Sequence, residues 1–303
     1  MDHERVRSGR TGFLWLASYP KSGSTWVRLL IQSALADGAP VNINAVTLAD
    51  NIAVTRNHFD AITQISSSDL TASQILGWRP AVLRAMAEEF GQAVHAKTHA
   101  AQIQLPGGDW LHPPDISLAA LVIVRDPRAI APSLARHMSR TIDDAITLMA
   151  TKGARLAQSL DILRRQLVDP WGSWSENVSS WLDKPVMPTL AIRYEDLCDQ
   201  PHQTLKAALE FLGHSVSDAA IARAVDHCTL DRLAAQESAY GFREWPDSGE
   251  RFFGLGRRPN LTPDQSARII QDHGDWMIRL GYRPQESGGQ NVRPNQNDAQ
   301  KKA

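Results

Sequence analysis

The apolar run Phe13-Leu14-Trp15-Leu16-Ala17-Ser18 passes directly into Tyr19-Pro20-Lys21-Ser22-Gly23-Ser24-Thr25-Trp26. An unbroken hydrophobic stretch, a short polar loop and then helical spacing predict a buried strand, a tight turn and a helix from about Thr25. A helix N-terminus exposes unpaired N–H groups and the positive end of the helix dipole. With Lys21, Ser22, Ser24 and Thr25 beside it, this one becomes a seat for an anion, most naturally a phosphate. The loop is not a Walker A, which ends on Gly-Lys-Ser/Thr. Here Lys21 precedes Gly23, and Tyr19-Pro20 opens the turn.

A second strand ends in the same kind of chemistry. Leu118-Ala119-Ala120-Leu121-Val122-Ile123-Val124 is continuously apolar, as a parallel strand covered on both faces must be. It ends in Arg125-Asp126-Pro127-Arg128, and helical spacing follows through Ser133 to His137. Arg125 therefore falls at the carboxyl end of a strand, where open α/β sheets bind ligands. Its planar fork of donors suits a phosphate. Ser133 lies two turns into the helix, so the pair can converge on one anion.

These segments resemble the sulfotransferases that use 3′-phosphoadenosine 5′-phosphosulfate (PAPS). Tyr-Pro-Lys-Ser-Gly-Ser-Thr-Trp matches that family's 5′-phosphosulfate loop closely, and Arg125 with Ser133 matches its 3′-phosphate motif. The resemblance runs from about Phe13 to Tyr282 and is closest to the soluble bacterial type of domain, to which Gly172-Ser173-Trp174-Ser175-Glu176-Asn177 also corresponds. It implies an α/β fold: a P-loop-like three-layer sandwich with a central, mainly parallel sheet flanked by helices. It implies sulfonate transfer without a metal, with adenosine 3′,5′-bisphosphate (PAP) as product. Lys21, Ser22, Gly23, Ser24 and Thr25 would hold the 5′-phosphate, and Trp26, Tyr194 and Thr229 the adenine. For Trp26 and Tyr194, packing in the core is an equal alternative.

In Val94-His95-Ala96-Lys97-Thr98-His99 the resemblance makes His99 the general base, with Lys97 and Lys21 offsetting charge. His95, Lys97 and His99 share one face of an extended segment, so position in the motif rather than geometry selects His99 over His95. The chain departs from the family near its C-terminus. There the basic pair Arg257-Arg258 follows the glycines of Gly254-Leu255-Gly256, and the usual tryptophan is missing. These two arginines are the candidates for closing on the 3′-phosphate.

Of the 303 residues, 43% are hydrophobic, enough for a single large domain over 1–284, with a polar tail at 285–303 expected to be disordered. The balance of 32 basic and 33 acidic side chains does not favour nucleic acid as a partner. An anionic cofactor must then be held by local groups. Cys198 and Cys228 lack metal spacing and form no disulfide framework, and no stretch has transmembrane length, so a cytoplasmic enzyme is expected.

Helices are expected over Trp26–Ala36, Ala72–Phe90 with a break near Pro80, Thr141–Leu167 as one or two helices broken at Gly153, Asn177–Leu182, His202–Leu212, Asp218–His227 and Ile269–Tyr282. A strand is expected over Met187–Tyr194. Asn42–Ser68 and Thr141–Trp174 are the acceptor-facing insertions, and Trp110, Trp171, Trp174 and Trp245 are candidates to line that pocket. The acceptor would be a hydroxyl of a small molecule, natural product, lipid or glycan. A small-molecule kinase and a nucleotide-binding module without catalysis are the other classes.

Overall fold

The computed structural model describes residues 10–48, 54–156, 166–244, 251–253 and 261–282. The first apolar run is strand β1 (Gly12–Ser18), buried along its whole length, and helix α1 (Ser24–Leu35) follows the loop. Helices α2 (Arg56–Thr63) and α3 (Ala72–Phe90) lead to strand β2 (Ala93–Thr98). Strand β3 (Ser117–Val124) feeds α4 (Pro127–Met138) and α5 (Ile142–Ala150). A short antiparallel pair, β4 (Arg155–Leu156) and β5 (Asp169–Pro170), precedes α6 (Trp174–Leu182). Strand β6 (Thr189–Arg193) runs into α7 (Tyr194–Asp199). Helices α8 (Pro201–Phe211), α9 (Asp218–His227), α10 (Leu230–Tyr240) and α11 (Pro263–Arg279) follow.

The main sheet has the order β2-β1-β3-β6, and all its neighbours are parallel. Alternation along β1 sends Phe13, Trp15 and Ala17 to one face and Leu14 and Leu16 to the other. The first set joins an apolar cluster with α3, α4, α5, α6 and α11. The second joins a cluster with α1, α8 and α9. Helices therefore cover both faces, which is the three-layer α/β architecture expected. Fully buried side chains such as Leu16, Leu29 and Leu30 contribute about 2 kcal/mol each.

The register fixes where the site lies. Ala17 pairs with Thr98, Ser18 with Ile123, and Val124 with Arg193. All four strands thus end at one edge of the sheet. Lys21, His99, Arg125 and Tyr194 leave that edge side by side.

Several local expectations need correction. Helix α3 runs unbroken through Pro80. A ring there forfeits one backbone bond, but Ile75, Leu76, Val82, Leu83 and Met86 bury a continuous face in the core and Thr71 and Gln74 form a capping box, so tertiary packing prevails. The segment 42–68 contains a helix, α2, whose only buried residue is Phe59. The break expected at Gly153 lies in the turn after α5, but a strand, β4, follows it in place of a second helix; residues 157–165 lie outside the described residues. Tyr194 opens a helix instead of ending a strand, and the acidic Glu195 and Asp196 in that first turn suit the dipole. Helix α11 begins at Pro263, ahead of the expected Ile269, because Thr262 and Gln265 cap it. The tail at 285–303 lies outside the described residues.

Candidate active site

The loop after β1 is shaped for a close ligand. Lys21 and Gly23 both have left-handed backbones, with φ of 68° and 100°. Glycine adopts that conformation without penalty, and lysine does so only when the surroundings hold it. A Cβ at Gly23 would lie 2.4 Å from Cδ2 of Tyr194, so only glycine allows this approach. Among the described residues no side chain caps the N-terminus of α1. The Ser22 hydroxyl is buried and has no partner among the described residues. An uncapped helix start beside an orphaned hydroxyl and a lysine has the donor chemistry of a phosphate seat.

Arg125 ties the two motifs together. Its Nη1 donates to the Lys21 carbonyl at 3.0 Å, and its guanidinium lies 4.2 Å above the Tyr194 ring. Tyr194 meets Trp26 edge-on with ring centres 5.5 Å apart, and Trp26 Nε1 donates to the Cys228 carbonyl at 2.7 Å. One packed unit thus joins Gly23, Trp26, Arg125, Tyr194 and the start of the Thr229 segment. Thr229 itself is half-buried and caps α10 through Arg232 N–H. Thr25 is engaged with Glu244 at 3.4 Å, and that carboxylate also pairs with the buried Arg28 at 3.0 Å. Ser24 is buried in the first turn of α1. Ser133 is buried on α4. Arg257, Arg258 and Trp245 lie outside the described residues.

His99 is held just beyond β2. Its Nδ1 lies 2.8 Å from the Ser18 carbonyl and 3.2 Å from the Ser18 hydroxyl. A carbonyl can only accept, so Nδ1 carries the proton and the lone pair falls on Nε2. His95 is engaged elsewhere: its Nε2 lies 3.0 Å from Nε2 of His214. Geometry therefore separates two histidines that strand periodicity left equivalent.

The site is strongly cationic. Burial, then Lys97, Arg125 and Arg136, bring Lys21 down to about 7, against a smaller opposing pull from Glu244. Burial and then Lys97 push His99 down to about 3, with the Ser18 carbonyl opposing and Lys21 and His137 adding. Burial, Lys21 and Lys97 likewise lower His137 to about 4. Like charges crowded so closely prepare a site for a multiply charged anion. Lys21 Nζ also sits 4.3 Å above the Phe252 ring.

Arg136, His137 and Phe252 were not anticipated. The first two share the α4 face of Ser133 at i+3 and i+4, a spacing that points to them in the sequence. Phe252 comes from a distant segment, where Phe252-Phe253 ahead of the glycines is the signal the resemblance offers. Of the tryptophans expected to line a pocket, Trp171 and Trp174 are buried in the core cluster and Trp110 is half-buried.

Comparison with known proteins bears on the family and the fold. Bovine sulfotransferase 1E1 (Bos taurus) is 32% identical over 65 residues, covering 21% of this chain and 22% of that protein. Rat sulfotransferase 1A1 (Rattus norvegicus) is 31% identical over 64 residues, again 21% and 22%. The chain thus spans about a fifth of the length of the curated relatives it matches. Retinol dehydratase, solved with androsterone and the inactive cofactor PAP, superposes with a TM-score of 0.54 at 17% identity, covering 88% of this chain and 80% of that one. Mouse sulfotransferase SULT7A1, solved with PAP, gives 0.53 at 19% identity over 89% and 86%. At such identities these two establish the shared fold. The sulfotransferase domain family matches residues 13–241, from β1 to the end of α10, and the chain belongs to that family.

Proposed function

We propose that this protein transfers the sulfonate of PAPS to an acceptor hydroxyl and releases PAP. The observation that carries the reading is the junction of two features. One is the uncapped α1 start with Lys21 and the orphaned Ser22 hydroxyl; the other is a histidine whose tautomer is fixed beside it. The PAP complexes of the structural neighbours support the same donor. A donor bound at this seat would supply an electrophilic sulfonate on a phosphate leaving group.

Each residue then has a role. Ser22, Gly23, Ser24 and Thr25 hold the 5′-phosphate at the start of α1. Arg125 and Ser133 hold the 3′-phosphate, Arg257 or Arg258 closes on it, and Trp26, Tyr194 and Thr229 border the adenine. Nε2 of His99 accepts the proton of the acceptor hydroxyl. Lys21 and Lys97 face the negative charge that builds on the phosphate side. These cations do the work for which a kinase recruits magnesium, so the reading is of metal-independent transfer. The acceptor is a small-molecule, natural-product, lipid or glycan hydroxyl, and the setting is the cytoplasm. Among the described residues no helix is long and apolar enough to cross a membrane.

Thermal unfolding with PAP or ATP, each with magnesium and with EDTA, tests the reading. At a hundredfold excess over Kd, a ligand specific for the folded state adds about 2.7 kcal/mol. A shift with PAP in EDTA, reduced in Lys21→Ala, is expected. A shift that needs both ATP and magnesium, with none from PAP, would make the protein a kinase. Once an acceptor turns over, His99→Ala should lower kcat by about a hundredfold or more while PAP still binds.

A further inference from the structure

Helix α6 presents Asn177, Ser180 and Trp181 along one stripe, since i, i+3 and i+4 share a face. All three grip the backbone that follows β2. Asn177 Nδ2 donates to the His99 carbonyl at 2.9 Å, and Trp181 Nε1 donates to the Ala100 carbonyl at 3.1 Å. The Ser180 hydroxyl accepts from Gln102 N–H at 2.9 Å. Asn177 also donates to the Trp171 carbonyl at 3.0 Å, so both hydrogens of its amide are used. Asn177 is 1% exposed.

The Trp171 end of this bridge is itself anchored. Trp171 and Gly172 N–H both donate to the Ala154 carbonyl, at 2.8 and 2.9 Å. Ala101 N–H donates to the Pro170 carbonyl at 2.8 Å. Inside the core, Arg79 pairs with Asp169 at 3.0 Å and holds the preceding Val168 carbonyl. The Asp169–Gly172 backbone and the His99 segment are therefore joined directly by the Ala101–Pro170 bond and, at His99 itself, through the Asn177 amide.

We infer that Asn177 is a positioning residue for His99, and that it couples the base to the Pro170–Gly172 backbone. The inference rests on the reading of His99 as the base. Ser18 fixes the ring from one side through Nδ1, and Asn177 fixes the main chain from the other. Together they leave Nε2 one direction. An amide is the side-chain group that offers two donors on a single planar nitrogen, and two buried carbonyls require both. Asp has the same shape and no donor. Leu has similar bulk and leaves both carbonyls unpaired.

The test is histidine NMR on the full chain, using long-range proton–nitrogen correlations, with His99→Ala to assign the signal. The wild type should give the Nδ1–H tautomer for His99 with no titration above pH 5. Asn177→Asp and Asn177→Leu should lose the single-tautomer signature and move the midpoint towards the ordinary histidine value, upwards by about one pH unit or more. Ser180→Ala and Trp181→Phe, which weaken the same helix contact, should keep the His99 signature at whatever cost in stability. If the Asn177→Asp protein folds and its His99 signals match the wild type, the inference is overturned. It is also overturned if all four variants scramble His99 alike, because Asn177 would then be only one part of a structural clamp. The base reading fails separately, by His99→Ala retaining turnover.

Discussion

Anion binding at the Lys21 seat should draw a proton from solution. Burial and the cations around it bring free Lys21 down to about 7. Phosphate groups placed against it remove that repulsion and favour the ammonium, returning it towards the ordinary lysine value of about 10.4. At pH 8 the free lysine is about nine-tenths neutral, so each PAP bound should take up about 0.9 proton. PAP is fully ionised there, since its phosphates titrate near pH ~6. The affinity should therefore weaken about fiftyfold between pH 7 and pH 9, a loss of about 2 kcal/mol.

Titration calorimetry at pH 8 in HEPES and in Tris, whose ionisation heats differ, counts the protons directly. Lys21→Met should still bind PAP, more weakly, with the uptake reduced almost to zero. Wild-type uptake below about 0.3 proton, or the same uptake in Lys21→Met, would refute the argument. The shift also has a ligand-free signature. The folded-state pKa lies below the unfolded one, so between pH 7 and about 10 the unfolded chain binds more protons. The free protein should gain stability from this group as pH rises through that window, and Lys21→Met should flatten the rise.

Arg125→Ala removes the bond to the Lys21 carbonyl and the contact with the Tyr194 ring, and should weaken PAP binding by about tenfold to a hundredfold in calorimetry; an unchanged Kd would take Arg125 out of the cradle. Gly23→Ala drives a methyl into Tyr194 from a left-handed backbone, and should abolish PAP binding and lower stability by about 2 kcal/mol in urea unfolding. Arg79→Ala strands Asp169 in the core and should cost about 3–5 kcal/mol, most of it recovered in Arg79→Met/Asp169→Leu, as denaturant midpoints would report. Burial holds His95 and His273 at about 4, below their unfolded values, so the unfolded chain binds more protons under pH 6.5. Each should therefore cost stability as pH falls from 6.5 to 4, and replacing either with Gln should make the acid limb of the melting curve shallower.

What the sequence made legible was local. The β1–loop–α1 run and the strand before Arg125 announce themselves because apolar continuity, a tight turn and an anion-seeking helix start all lie within a few residues of one another. What it hid depends on partners far along the chain. Pro80 reads as a break until Asp169 and the core are there to hold α3 straight. Arg28 is buried on α1, and its carboxylate partner Glu244 lies 216 residues later, beyond any local pattern. His95 and His99 lie on one strand face with Lys97 between them, so no period distinguishes them. The distinction lies in what each ring touches. His95 meets another imidazole, which can give or take a proton, so neither ring has its tautomer fixed by the other. His99 meets the main-chain carbonyl of Ser18, which can only accept, and that single contact both fixes Nδ1–H and aims the lone pair of Nε2. The proposed base is thus specified by the end of β1 as much as by the motif on β2, and the pairing of those two strands brings it beside the Lys21 loop.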